Sequence, residues 1–285
     1  MIKPILKYAG IIVLCSVAAL VVFFTGLQFW GDWNDEWSGY NASQFVSDGY
    51  CNIAVLPVFG DIISYPGADK DGMTTSEDLP PSVNPDDVDS FLQSAEADGN
   101  ILGILAEIDS SGGSGTAGEN IAHRLQRSSL PVVASVRESA NSAGYMIATG
   151  ADTIIASPFS DVGSIGITMS YLDNTRQNEE AGLEFISLAS GKFKDSGAPD
   201  KPFTAEERIL FERDLKVWHD AFVKVVSENR NMPIENVAKL ADGSSMAASL
   251  ALENKLIDAV GDNETAREWF AKELEIPSEE VVFCK

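Results

Sequence analysis

Ser142 and Lys194 are the residues of this chain whose types and surroundings could do covalent chemistry. Ser142 sits in Ser139-Ala140-Asn141-Ser142-Ala143-Gly144-Tyr145, just after the apolar run Pro131 to Val136. Lys194 sits in Ser190-Gly191-Lys192-Phe193-Lys194-Asp195. A serine hydroxyl needs a base to become a nucleophile at neutral pH. Histidine is the usual base, but the chain has only His123 and His219, both in stretches that read as amphipathic helix. A Ser-His-Asp triad is hard to build from them, and a Ser-Lys pair is the economical alternative. A lysine base must lose its proton near neutral pH, which asks for partial burial and no strong carboxylate partner. Asp195 adjoins Lys194, but in an extended segment it would point to the other face, which Lys192 does not. Residue chemistry leaves Lys192 and Lys194 tied.

Gly-rich turns accompany these residues. Asp109-Ser110-Ser111-Gly112-Gly113 follows an apolar run that ends at Ile108. Paired glycines let a backbone turn sharply and present N–H groups that could hold the oxyanion of an acyl-transfer intermediate. Such a turn is also a common strand-to-helix connection or phosphate cradle, but no G-x-x-x-x-G-K-[ST] or G-x-G-x-x-G pattern supports a phosphate. A serine between strand and helix is most often an N-cap. Around Ser142, however, Ala140, Ala143 and Gly144 would let another backbone approach closely, and the Ala143 N–H would be a second oxyanion donor. A further turn is Val162-Gly163-Ser164-Ile165-Gly166-Ile167.

The elements that must position these turns alternate. Cys51 to Ile63 reads as a strand, a turn at Gly60-Asp61 and a second short strand. Residues 65–87 read as a loop, and Asp86 to Ala97 as a helix capped by Asn84 or Asp86. Strands are expected over 101–108, 131–136, 153–156, 164–168 and 185–188, with helices over 114–126 and 142–149. This alternation implies a largely parallel sheet with crossover helices, an α/β fold. The C-terminal third reads as helical. Thr204-Ala205-Glu206-Glu207 is a capping-box signature, and Phe211, Leu215, Trp218, Phe222 and Val225 form one apolar stripe on a long helix, suited to core or subunit interface.

Composition narrows the setting. The chain has 285 residues and a net charge of −23. That charge argues against nucleic acid as a partner, because phosphates need Lys and Arg. Tyr8 to Leu27 carries no charge, and about 20 apolar residues span a bilayer as a helix. Lys3 and Lys7 precede the run while Asp32, Asp35 and Glu36 follow it, which places the N-terminus in the cytoplasm and the remainder outside. The rival is a cleaved signal peptide, but the run is longer than a typical apolar region of one and no clean small-x-small site follows. The organisation expected is a cytoplasmic tip and transmembrane anchor over 1–30, a tether over 31–50 and a catalytic domain over 51–285. Cys15 lies in the anchor, while Cys51 and Cys284 would lie outside, either bridged or as two free thiols. No Cys/His spacing suggests a metal.

Together the turns resemble the signal peptide peptidase SppA family of serine–lysine peptidases, over about Ile53 to Asp262. The family's Asn-Ser-Pro-Gly-Gly is matched by Asp109 to Gly113, its Ala-Ala-Ser-Gly-Gly-Tyr by Ala140 to Tyr145, its Thr-Gly-Ser-Ile-Gly-Val by Val162 to Ile167, and its Ser-Gly-x-x-Lys-Asp by Ser190 to Asp195. The resemblance implies the ClpP/crotonase-like fold of repeated ββα units. It implies Ser142 as nucleophile, Lys194 as base, Ser164 as the hydroxyl that orients the lysine amine, and the N–H groups of Gly113 and Ala143 as the oxyanion hole. No cofactor is implied. The substrates implied are hydrophobic peptides such as remnant signal peptides, and short members form homo-oligomeric rings that can share Ser and Lys between subunits. The chain departs from the family's motifs at Asp109, Ser111 and Ala143. Those departures keep a second reading alive, a catalytically weak membrane scaffold or peptide-binding protein on the same fold. An acyl-CoA enzyme of the crotonase type is opposed by the outward-facing domain and the acidity.

Overall fold

The Val- and Ile-rich runs become the strands of one sheet. The computed structural model describes residues 47, 49–65 and 81–284; the expected anchor and most of the tether lie outside these residues. In chain order the elements are β1 (Ile53–Ile62), β2 (Ser82–Val83), α1 (Pro85–Ala97), β3 (Gly103–Gly113), α2 (Gly115–Gln126), β4 (Val132–Asn141), α3 (Ala143–Ala148), β5 (Thr153–Ala156) and β6 (Asp161–Gly163). There follow α4 (Thr175–Glu180), α5 (Ala205–Asn229), α6 (Ile234–Leu240), β7 (Ser245–Ala247), α7 (Ala248–Glu253), β8 (Ala259–Val260) and α8 (Asn263–Glu273). Among the described residues no helix is long and apolar enough to cross a membrane.

The main sheet runs β2-β1-β3-β4-β5-β8, parallel throughout. Its centre is buried on both faces, so the strands read as continuous apolar runs. Ala54, Leu56, Ile104, Ala106, Ala134 and Ile154 face the larger core with Val88, Leu92, Ile121 and Leu125 of α1 and α2. The alternate residues Ile53, Leu105, Val133 and Ile155 meet Ala266 and Phe270 of α8 on the other face.

The long strands bend. β1 breaks register with β3 between Phe59 and Asp61, where Gly60 takes φ 75°. β3 breaks register with β4 after Ile108. Beyond these breaks each strand makes a second, short leg. Asp61–Ile62 pair with Gly112–Gly113, Ser110 pairs with Ala140, Ser139–Asn141 pair with β6, and β6 pairs antiparallel with β7. The paired strands of each expected ββα unit are thus realised as one bent strand followed by a helix. The Gly-rich turns all lie at the ends of these second legs.

Two expected strands are absent. Residues 164–168 are irregular, because the strand runs over Asp161–Gly163 and Ser164 leaves it at φ 49°. Residues 185–188 form no strand: they find no sheet neighbour, and Ile186 and Leu188 are exposed. The C-terminal third carries the short strands β7 and β8 besides its helices. The capping box is present, Thr204 accepting from the Glu207 N–H and Glu207 from the Thr204 N–H. Hydrogen bonding to Lys201, then to the Thr204 N–H, holds the Glu207 carboxyl down at about 2. The stripe on α5 divides. Phe222 is core and Val225 packs partly buried against it, while Trp218 is 48% exposed.

Cys51 and Cys284 are joined in a disulfide that ties the start of the domain to its end. Beside it the Cys284 N–H donates to the Ile53 carbonyl and the Asn52 side chain bonds the 280–282 backbone. Closing so long a loop should stabilise the fold by about 2–4 kcal/mol, largely by restricting the unfolded chain. Cys51→Ser and Cys284→Ser should therefore each lower Tm, and reductant should lower wild type to the same value. A wild-type melting curve indifferent to reductant would contradict this role.

Candidate active site

Among the described residues five non-glycine residues adopt positive φ: Ser142 (52°), Ser164 (49°), Asn231 (50°), Lys255 (62°) and Glu275 (57°). Asn231, Lys255 and Glu275 each stand one residue beyond the C-cap of α5, α7 or α8, where a left-handed residue ordinarily closes a helix. Ser142 and Ser164 have no such reason. A β-carbon at positive φ costs about 1–3 kcal/mol and persists where its surroundings over-determine it, commonly at functional sites.

The surroundings do so. Ser142 is half-buried between β4 and α3, and its N–H donates to the Gly163 carbonyl at 2.9 Å. Its side chain makes no capping bond, so the commonest structural role of such a serine is not filled. Ser164 directly follows Gly163, the pairing partner of Asn141, so the two serines leave adjacent strand ends side by side. The Ser164 N–H donates to the Ser244 carbonyl and its Oγ to the Gly243 carbonyl at 3.2 Å.

The Gly112–Gly113 turn packs against the nucleophile candidate. A β-carbon on Gly112 would lie 2.7 Å from Ser142 Cβ and 3.2 Å from its Oγ, and one on Gly113 would strike the Ile62 carbonyl at 2.2 Å. Both glycines have positive φ, so no other residue serves there. Ser110 is buried within the turn; its Oγ donates to the Gly60 carbonyl at 2.6 Å and accepts from the Gly112 N–H at 3.1 Å. The Ser114 N–H is also engaged, by the Ile62 carbonyl. Gly113 thus stands between two residues whose N–H groups are occupied. Ala143 opens α3, where an N–H has no partner one turn earlier. Its φ is not positive, so the alanine that departs from the SppA motif is unstrained. Gly118 of α2 makes room for its methyl: a β-carbon on Gly118 would meet Ala143 Cβ at 3.0 Å.

The profile of peptidase family S49 matches residues 124–277. This covers more than half of the chain and includes Ser142, Ser164 and Lys194.

The chain belongs to peptidase family S49.

Among relatives of this S49 chain, a candidate protease of Methanocaldococcus jannaschii is 31% identical over 195 residues, 68% of this chain and 63% of that one. A candidate signal peptide peptidase SppA of Enterococcus faecium is 30% identical over 68% of this chain and 57% of its own. Protease 4 of Haemophilus influenzae is 28% identical over 73% of this chain and 32% of its own. The matches span less than two thirds of each relative's length. A solved 1510-N membrane-bound stomatin-specific protease, a serine-to-alanine variant, superposes at TM-score 0.50 with 21% identity over 81% of this chain and 90% of its own. That likeness shows the shared fold.

The S49 chain brings together Ser142, Ser164, Gly113 and Ala143, and no hydrogen bond joins Lys194 to them. Lys194 lies in an exposed turn, its N–H bonded to the Gly191 carbonyl. Among the described residues its amine makes no hydrogen bond or ion pair, with Ser142, Ser164 or anything else. Lys192 is ion-paired with Glu206 at 2.7 Å and lies over the Phe193 ring, and Asp195 accepts a hydrogen bond from Ser187. Of the two lysines, only Lys194 is free of a carboxylate.

Gly118 lies outside the motifs, and Ser110 lies within one without a role that the sequence shows. A glycine inside a helix costs about 1 kcal/mol relative to alanine, and that cost was the available signal at Gly118. Ser110 carried none, since its role depends on the Gly60 carbonyl fifty residues earlier. The strain at Ser142 has a measurable consequence. Ser142→Gly should fold about 1 kcal/mol more stably than Ser142→Ala, because only glycine takes this φ freely. Chemical denaturation of the two variants checks it; equal stabilities would place no strain at Ser142.

Proposed function

We propose that the chain is a membrane-anchored serine endopeptidase using a Ser142–Lys194 dyad on hydrophobic peptides, such as remnant signal peptides. The observation that carries the reading is the strained Ser142, uncapped and half-exposed against the Gly112–Gly113 turn. In this mechanism Ser142 Oγ attacks the peptide carbonyl carbon while the neutral Lys194 amine takes its proton. The tetrahedral oxyanion accepts hydrogen bonds from the Gly113 and Ala143 N–H groups. The protonated amine then gives its proton to the leaving nitrogen as the C–N bond breaks, and water hydrolyses the acyl-enzyme. Ser164 orients the amine, exchanging its bond to the Gly243 carbonyl for one to Lys194.

Lys194 would come from a neighbouring copy in a homo-oligomeric ring. The support is the region around it: Leu172, Leu183, Ile186, Leu188, Ile209 and Trp218 are exposed on one lone chain. Apolar exposure of this extent is typical of an interface. A solved relative, the lysine-to-alanine variant of the stomatin-specific protease, holds a substrate peptide. The anchor over Tyr8 to Leu27 and the Cys51–Cys284 bridge both favour a domain outside the cytoplasm. The exposed Lys194 amine, with no hydrogen bond to Ser142 among the described residues, favours the weak scaffold as the second reading.

Three variants decide between them. Ser142→Ala and Lys194→Ala should fold and assemble yet lose at least about a hundredfold in peptide hydrolysis, whereas Lys192→Ala keeps most of it. A fluorophosphonate should label Ser142 in wild type. Hydrolysis surviving in Ser142→Ala rejects the nucleophile, and survival in Lys194→Ala rejects the dyad. A separate check concerns topology. Protease added to spheroplasts should digest the domain; protection until lysis would reverse the orientation.

A further inference from the structure

Asp109 and Ser139 form a link that the peptidase mechanism does not use. Between the register pairs Ile108↔Val136 and Ser110↔Ala140, β3 has one residue and β4 has three. β4 therefore bulges over Arg137 to Ser139, and a bulge leaves backbone groups off the ladder. Asp109 is the single residue opposite. Its Oδ1 accepts from the Ser139 N–H at 3.1 Å and from Ser139 Oγ at 3.1 Å. The carboxylate thus takes the place of a ladder partner for the bulged strand. Charge-assisted hydrogen bonds of this kind are stronger than neutral ones.

The placement of the link gives it a function. Asp109 lies three residues before Gly112 on β3, and Ser139 lies three residues before Ser142 on β4. The link is the last side-chain tie between the two strands before the turns at which they end. Ser110, next to Asp109, secures the other side of the same turn to β1 through the Gly60 carbonyl. We propose that Asp109 is a positioning residue, its carboxylate clamping the β4 bulge at Ser139 and so fixing the spacing between the Gly112–Gly113 turn and the Ser142 hydroxyl. The inference rests on the reading of Ser142 as nucleophile. Loss of the clamp changes the alignment of nucleophile and oxyanion donors, not the surface that holds the peptide. Misplacement by about 1 Å can cost about a hundredfold in rate. An asparagine at this position retains a side-chain oxygen able to accept the same two bonds.

The test uses the full chain in its membrane or detergent-solubilised form, with a quenched fluorescent peptide and a fluorophosphonate. Asp109→Ala should lower kcat about 10- to 100-fold with KM within about twofold, and slow labelling of Ser142 equally. Asp109→Asn should restore both to within about threefold of wild type, a rescue that lost bulk or lost charge would not produce. Ser139→Ala, which keeps the backbone bond and loses the hydroxyl bond, should fall between, and it carries the test if Asp109→Ala does not fold. Wild-type labelling rates in Asp109→Ala or Ser139→Ala would overturn the positioning role while leaving Ser142 as nucleophile. A rise in KM with kcat unchanged would overturn it as well. A wild-type adduct mapped by mass spectrometry to a residue other than Ser142 would overturn the nucleophile reading and this inference with it.

Discussion

The reversal of chain direction at Ser142 is the constraint on which the rest of the structure depends. A parallel strand must end and a helix begin within one residue, with φ at 52° on a residue that carries a β-carbon. Backbone strain of this kind costs about 1–3 kcal/mol. The helix that follows is short but wholly buried from Ala143 to Ala148, with Tyr145 and Ile147 fully enclosed. Burial of each large side chain contributes about 1.5–3 kcal/mol, so these two alone offset the strain. The small residues around the reversal follow from the same constraint. Gly112 faces Ser142, Gly118 faces Ala143, and a β-carbon on Gly144 would press on Ser110 at 3.1 Å.

Apolar residues divide between core and surface by segment of the chain. β1, β3, β4 and β5 send their side chains alternately into two cores, and almost nothing apolar on them is exposed. Between β6 and α5 the pattern inverts. Tyr171, Phe203 and Phe211 pack edge to face in a small satellite cluster, while Leu172, Ile186 and Leu188 face outward. That segment carries Lys194, whose side chain is exposed and unpaired among the described residues. The Ser142 turn is thus packed into the core, whereas the segment with Lys194 presents apolar side chains to the surface.

The parts of the fold legible in the sequence were those set by local periodicity and local chemistry. The apolar strands over 101–108 and 131–136, the helix over 114–126 and the capping box at Thr204 needed only neighbours in the chain. The bends did not show. Ser110 to Gly113 read as a turn, although those residues continue β3, because the partners Ile62 and Ala140 lie far away in sequence. Residues 185–188 failed for the converse reason: apolar alternation announces a surface that wants covering, and it does not say whether a strand or another chain supplies the cover. The Cys51–Cys284 pairing was legible only as one of two alternatives, since the choice depends on the two ends of the domain meeting beside β1. In the site, Ser142 and the glycines were legible through their small neighbours. Asp109 read as a departure from the S49 pattern, and only the β4 bulge gives it a purpose.

The helix α5 connects the two regions in a way that constrains both. Its C-terminal half is core, and Asn229 at its end donates to Thr149 Oγ1, which in turn donates to the Met146 carbonyl of α3. Tyr145 of α3 donates from its buried hydroxyl to the Leu256 carbonyl, and Arg230 grips Asp258 and the Lys255 carbonyl of the same loop. Burial pushes the Tyr145 hydroxyl well above the ordinary tyrosine range, so it remains a donor at any working pH. The helix that carries Phe211 and Trp218 outward is therefore bolted at its other end to the helix that opens at Ser142. A 25-residue helix is about 37 Å long, and a rod anchored in this way has little freedom to swing. The α5 helix is thus tied through Asn229 and Thr149 to the helix that opens beside Ser142, and whatever packs along α5 bears on that helix.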